Sequence, residues 1–242
     1  MQTARERIYA ALDVSSLEQA QTLVEELAPF VGCFKVGLQL LTSVGAPMVV
    51  RLVHSLGGKV GYDGKLDDIP NTVGETAKII ADFGVLWFNV HASAGRKSVE
   101  AAIANRGKSQ VFGVTVLTSI DEEECISIFG DKPGPKALLF SRMLAEAGAD
   151  GIICSPKELA FLNEHEELAC LTKVTPGVRP EWASTDDQKR VMTPGEAIAA
   201  GATNLVIGRP ITKPPSEIGP PVEAAKRIAD EIEAALNARQ AT

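Results

Sequence analysis

Eight strand-like runs, each followed by a stretch of helical spacing, set the tightest limit on what this chain can fold into. The first is an unbroken apolar segment over 8–12 that ends at Asp13. Behind it, 17–27 repeats apolar residues at helical intervals, with Ser15 or Ser16 as the cap. The order recurs with strands at 32–38, 59–63, 85–90, 110–117, 151–154, 171–175 and 204–207. Helices are expected at 47–56, 69–83, 98–105, 136–147, 156–164, 194–200 and 222–236, with a short extra helix at 121–129. Apolar strands alternating with helices imply a parallel sheet covered by helices. At 242 residues the economical arrangement is α/β, a single-domain (β/α)8 TIM barrel over 1–242. An open doubly wound sheet that binds a dinucleotide would carry G-x-G-x-x-G after its first strand, and Ala11-Leu12-Asp13-Val14-Ser15 stands there instead.

A formal charge of −7 removes any global basic footprint for nucleic acid, so an anionic ligand needs a local positive site. No apolar run approaches the roughly 20 residues of a membrane span, and no secretory leader is expected from the polar N-terminus. The four cysteines, Cys33, Cys125, Cys154 and Cys170, form no C-x-x-C pair and read as buried thiols of a reducing, cytoplasmic setting.

Chemistry-bearing residues collect at the expected strand ends: Asp13, Lys35, Asp63, Lys65, His91, Ser119, Gly177 and Arg209. In a barrel those ends share one face, where active sites sit. The densest stretch is Tyr62-Asp63-Gly64-Lys65-Leu66-Asp67-Asp68-Ile69-Pro70-Asn71-Thr72. Alternation puts Asp63 and Lys65 on the same side of a strand, and a lysine between fixed carboxylates stays charged. A purely structural reading makes this a strand-end ion pair with Asp68 as a helix N-cap and Pro70 in the first turn. After strand eight, Gly208 allows close backbone approach and Arg209 can grip phosphate. The stretch 177–192 is long and polar, and is expected to close as a lid in which Gln188 donates to a phosphate oxygen; Trp182 either packs as the lid settles or is a half-buried surface residue. Arg179, Lys189 and Arg190 in that stretch are consistent with a solvated face. His91 reads as a hydrogen-bonded structural residue. No His/Cys/Asp/Glu set has metal-ligand spacing, and no G-x-S-x-G elbow is present.

The run Asp63-x-Lys65-x-x-Asp68-Ile69-Pro70-Asn71-Thr72 resembles the signature of the orotidine 5'-phosphate decarboxylase family. Ala11-Leu12-Asp13, Phe34-Lys35-Val36-Gly37, Val90-His91-Ala92, Thr175-Pro176-Gly177-Val178-Arg179 and Ile207-Gly208-Arg209-Pro210-Ile211-Thr212 extend the resemblance from the first strand to the last. It implies a homodimer that converts orotidine 5'-phosphate to UMP and carbon dioxide, without metal or organic cofactor, as the last step of pyrimidine biosynthesis. It implies an alternating charged array of Lys35, Asp63, Lys65 and Asp68, with Lys65 as proton donor. Asp13 and Lys35 would hold the ribose, Ser119 would read the pyrimidine edge, and Pro176 would line the site. Gln188, Gly208 and Arg209 would bind phosphate. Asp68, Ile69 and Thr72 would come from the partner subunit.

Two positions depart from the pattern. Gly64 stands where a bulkier apolar residue is usual, and is expected to loosen the strand end. Asp67 adds a third acid, expected to point away. The nearest rival is a magnesium-dependent phosphosugar decarboxylase or aldolase with the same D-x-K-x-x-D pattern, whose metal-binding acid on strand two is replaced here by Lys35. From another class, the chain would be a non-catalytic nucleotide-binding barrel.

Overall fold

The computed structural model describes residues 2–183 and 192–240. In order its elements are β1 (Ile8–Ala11), α1 (Leu17–Leu27), β2 (Cys33–Gly37), α2 (Leu38–Val44), α3 (Ala46–Ser55), β3 (Val60–Leu66), α4 (Pro70–Asp82), β4 (Trp87–His91) and α5 (Arg96–Ala104). They continue with β5 (Gln110–Val114), α6 (Glu122–Phe129), α7 (Pro133–Ala147), β6 (Gly151–Ile153), α8 (Leu159–Asn163), β7 (Thr172–Thr175), α9 (Pro194–Ala199), β8 (Asn204–Ile207), α10 (Arg209–Thr212) and α11 (Pro221–Gln240). The strands close in sequence order, β1 to β8, with β8 pairing parallel to β1. The chain is therefore the (β/α)8 barrel that the alternation implies. No described helix is long and apolar enough to cross a membrane.

Local signals account for the helices that cover the barrel. In α1, Ser16 Oγ accepts from Gln19 N at 3.2 Å, and Ala20, Val24 and Leu27 lie buried on one stripe. In α4, Pro70 occupies the first turn and Val73, Ala77 and Ile80 face inward. A reciprocal Thr193–Glu196 box opens α9. The apolar side chains form a large helix-facing core, a smaller cluster inside the barrel and a third around Val116, Cys125 and Ala137. Within the barrel, the Trp87 ring lies between Tyr9 and Phe112, with centroids 5.7 and 5.4 Å away. This aromatic plug fits because β3 has Gly61 beside it: a β-carbon there would stand 2.1 Å from the indole.

Beyond shifts of a few residues at other ends, four features differ from the sequence expectations. Strand three runs on past Asp63 to Leu66, strand five stops at Val114, and two short helices, α2 and α10, follow β2 and β8 directly. Cys170 is exposed, whereas Cys33, Cys125 and Cys154 are buried.

Candidate active site

The C-terminal ends of the strands surround a cavity of about 290 Å³. Its lining includes Asp13, Lys35, Asp63, Lys65, Pro176, Gly208 and Arg209, with Trp87, Val114 and Val206 among its apolar walls. A concave apolar pocket with a few convergent polar groups is the form small-ligand sites take.

At its centre is one carboxylate between two ammonium groups. Lys35 Nζ donates to Asp63 Oδ2 at 3.1 Å and lies 3.4 Å from Asp13 Oδ1. Lys65 Nζ donates to Asp63 Oδ1 at 2.6 Å. The Asp63 side chain is only 9% exposed, while Lys65 remains 30% exposed toward the cavity. Burial alone would raise the Asp63 carboxyl. The charges of Lys35 and Lys65, with hydrogen bonds from Lys65 and Asn89, instead hold it down at about 2. Burial likewise works against the Lys35 charge, but Asp63 and Asp13 outweigh it and raise its pKa. Asp63 and Lys35 therefore both stay ionised at neutral pH.

The geometry depends on an irregular stretch of β3. Tyr62 pairs with Phe88 and Leu66 with Val90, so β3 carries two more residues than β4 across that interval. Lys65 sits in it at φ 50, the one described non-glycine residue with positive φ. Its N–H is accepted by the side chain of Asn89 on β4, at 2.7 Å. The same amide donates from Nδ2 to Asp63 Oδ1 at 2.6 Å. The sequence reading passed over Asn89. Its one local signal was a polar residue inside an otherwise apolar strand.

Gly64 does not simply loosen this stretch. A β-carbon at that position would stand 2.3 Å from the Tyr62 ring, so the glycine leaves the space that Tyr62 fills. Asp67 is exposed and accepts from Ser93 Oγ at 3.4 Å. His91 is partly buried, and burial lowers its pKa against the pull of Asp67.

Asp68, Ile69 and Thr72 do not line their own chain's cavity; all three are exposed, Ile69 at 67%. The cap of α4 also shifts: Ile69 is its N-cap, and Asp68 Oδ1 accepts from Ile69 N at 2.7 Å. Asp68 is therefore not the helix cap that a structural reading gave it. Its carbonyl is fixed by Ser98 Oγ, which donates to it at 2.8 Å. Ser119 lies in an exposed turn outside the lining, where its neighbour Thr118 stands. Gln188 lies outside the described residues.

Arg179 is placed differently from a solvated face. It lines the cavity and is only 8% exposed. Its N–H donates to Met192 O at 3.0 Å, and Val178 bridges Met192, so the two ends of the long stretch meet beside the cavity. Gly208 follows β8, and a β-carbon on it would come within 3.4 Å of Asp13 Oδ2. Arg209 opens α10 directly after it.

Comparison with known proteins gives a consistent result. Residues 6–228 match the family described as Orotidine 5'-phosphate decarboxylase / HUMPS. The chain is 43% identical over 245 residues to orotidine 5'-phosphate decarboxylase of Syntrophomonas wolfei, covering 95% of this chain and 99% of that one. It is 42% identical over 244 residues to the Moorella thermoacetica protein of the same name, covering 95% and 93%. Among solved structures, orotidine 5'-phosphate decarboxylase from Lactobacillus acidophilus superposes with a TM-score of 0.79 at 30% identity, over 93% of this chain and 98% of that one. The Methanocaldococcus jannaschii enzyme, complexed with inhibitor BMP, gives 0.74 at 26% identity, over 93% and 98%.

Proposed function

The chain belongs to the orotidine 5'-phosphate decarboxylase / HUMPS family, and on that premise we propose that it converts orotidine 5'-phosphate to uridine 5'-phosphate and carbon dioxide. This is the closing step of pyrimidine nucleotide synthesis. The observation that carries the reading is the Asp63 carboxylate held between the ammonium groups of Lys35 and Lys65 inside the cavity.

Loss of carbon dioxide leaves an electron pair on a ring carbon with no adjacent sink. An ammonium group fixed beside that carbon stabilises the negative charge as it develops, with little reorganisation. Lys65 takes that place, tethered by Asp63. Its proton then forms the C–H bond that replaces the lost carboxylate, and solvent restores the lysine. Asp13 and Lys35 take the ribose hydroxyls. Thr118, rather than the exposed Ser119, reads the pyrimidine edge. Gly208, Arg209 and the buried Arg179 hold the phosphate, with Gln188 as a further donor from 177–192 acting as a lid. Remote phosphate binding then contributes to the chemical step by holding the ring against Lys65.

Asp68, Ile69 and Thr72 act in a second copy's site, completing the charged array there. Supporting this, they are exposed yet absent from the lining of their own cavity, and Ile69 leaves a large apolar side chain uncovered. The reaction uses no metal: the Lys35 ammonium already stands between Asp13 and Asp63, where a divalent cation would have to bind and would be repelled.

The test is an ultraviolet assay of orotidine 5'-phosphate with chelator-treated protein. Turnover to uridine 5'-phosphate is expected. Folded protein that leaves the substrate unchanged would overturn the reading, and strict dependence on added magnesium would favour a metal-dependent phosphosugar enzyme instead.

A further inference from the structure

We propose that Asn89 is a positioning residue for this reaction, setting the Asp63 carboxylate and the Lys65 backbone together. The inference rests on the decarboxylase reading. Asn89 is fully buried in a barrel strand, between Phe88 and Val90, where an amide needs partners at both ends. It finds both on the catalytic strand: Nδ2 donates to Asp63 Oδ1, and Oδ1 accepts from Lys65 N.

The two bonds solve one problem. Because β3 carries two extra residues between its pairings with β4, the Lys65 N–H is bound by the Asn89 side chain rather than through regular ladder pairing. The Asn89 oxygen holds Lys65 in a conformation that L-residues adopt rarely, φ 50. At the same time its nitrogen and Lys65 Nζ converge on Asp63 Oδ1, which leaves Oδ2 turned to Lys35. Asn89 therefore fixes the rotation of the carboxylate and the origin of the lysine side chain relative to each other. Aspartate in its place would keep the acceptor but lose the donor and set a second carboxylate against Asp63. Leucine would supply neither.

The experiment compares wild type, Asn89→Asp and Asn89→Leu for kcat and KM with orotidine 5'-phosphate. Binding of uridine 5'-phosphate and circular dichroism are measured on the same samples. The expected result is a fall in kcat of about thirtyfold or more in both variants, the scale of one lost hydrogen bond to a charged group. KM and product affinity should stay within about threefold of wild type, because Asn89 acts on the reacting geometry rather than on ligand contacts. If Asn89→Leu does not fold, the nearly isosteric Asn89→Asp decides. A folded Asn89→Asp with wild-type kcat, or a loss confined to KM, would overturn the positioning role while leaving the decarboxylase reading intact. An inactive wild type would overturn both.

Discussion

Lys65 Nζ donates to Asp63 Oδ1 at 2.6 Å from two positions along the same strand, and does so from a backbone at φ 50. Same-face side chains of a regular strand stand roughly perpendicular to the sheet, whereas this ion pair closes within an irregular stretch. Strained backbone of this kind persists only where surrounding contacts over-determine it. Here the Asn89 amide and the packing of Tyr62 over Gly64 supply those contacts.

The Asp63 carboxyl carries a pH signature. Its folded pKa lies near 2, below its ordinary value, so its contribution is present above about pH 4 and is lost as pH falls toward 2. Lys35 is shifted up, so its contribution is present below its ordinary range and is lost only in strong alkali. Asp63→Ala leaves two ammonium groups facing each other. We expect it to lose roughly 2–3 kcal/mol of unfolding free energy near pH 7, with the gap to wild type narrowing toward about pH 3. Urea unfolding at the two pH values checks this, and a gap that does not narrow in acid would contradict it.

Gly64 and Tyr62 should behave as a coupled pair. Gly64→Leu drives a side chain into the Tyr62 ring and should destabilise the protein by about 1–3 kcal/mol. Adding Tyr62→Leu should recover much of that loss, because the smaller side chain returns the space. Thermal unfolding of both single variants and the double variant gives the coupling directly. Strict additivity would show that the ring and the glycine do not share that space.

The barrel was legible because its strands are continuous apolar runs at even spacing, and Asp13, Lys35, Asp63, Lys65, Gly208 and Arg209 were legible because a barrel gathers strand ends on one face. Other features depend on contacts between distant residues. Gly64 and Lys65 resemble a turn in isolation, yet β3 continues to Leu66 because Leu66 pairs with Val90 and Asn89 bridges the gap. Val116 and Leu117 extend the apolar run of strand five, although pairing stops at Val114. Helix α2 was missed because it starts directly after Gly37 with no side-chain cap to mark it, and Gly45, at φ 88, separates it from α3. Arg179 gave no local sign of burial, since the bond from its N–H to Met192 folds the far end of the stretch back beside it.

The shared-site proposal predicts complementation. Lys65→Ala and Asp68→Ala should each be nearly inactive alone. Mixed and allowed to exchange subunits, they form heterodimers in which one of the two sites contains both Lys65 and Asp68. Activity should then approach about a quarter of the wild-type value, because statistical pairing makes about half of the dimers mixed and each has one intact site. Mass spectrometry confirming exchange without any recovered activity would count against a site built across two chains.

The central claim is that Lys65, held by Asp63, delivers the proton to the carbon that loses carbon dioxide. The most direct measurement sets wild type beside Lys65→Ala with orotidine 5'-phosphate, following substrate loss in the ultraviolet and uridine 5'-phosphate binding in parallel. The account predicts that the variant still binds the nucleotide while its turnover falls at least about a thousandfold. Turnover near the wild-type rate in the variant would contradict it.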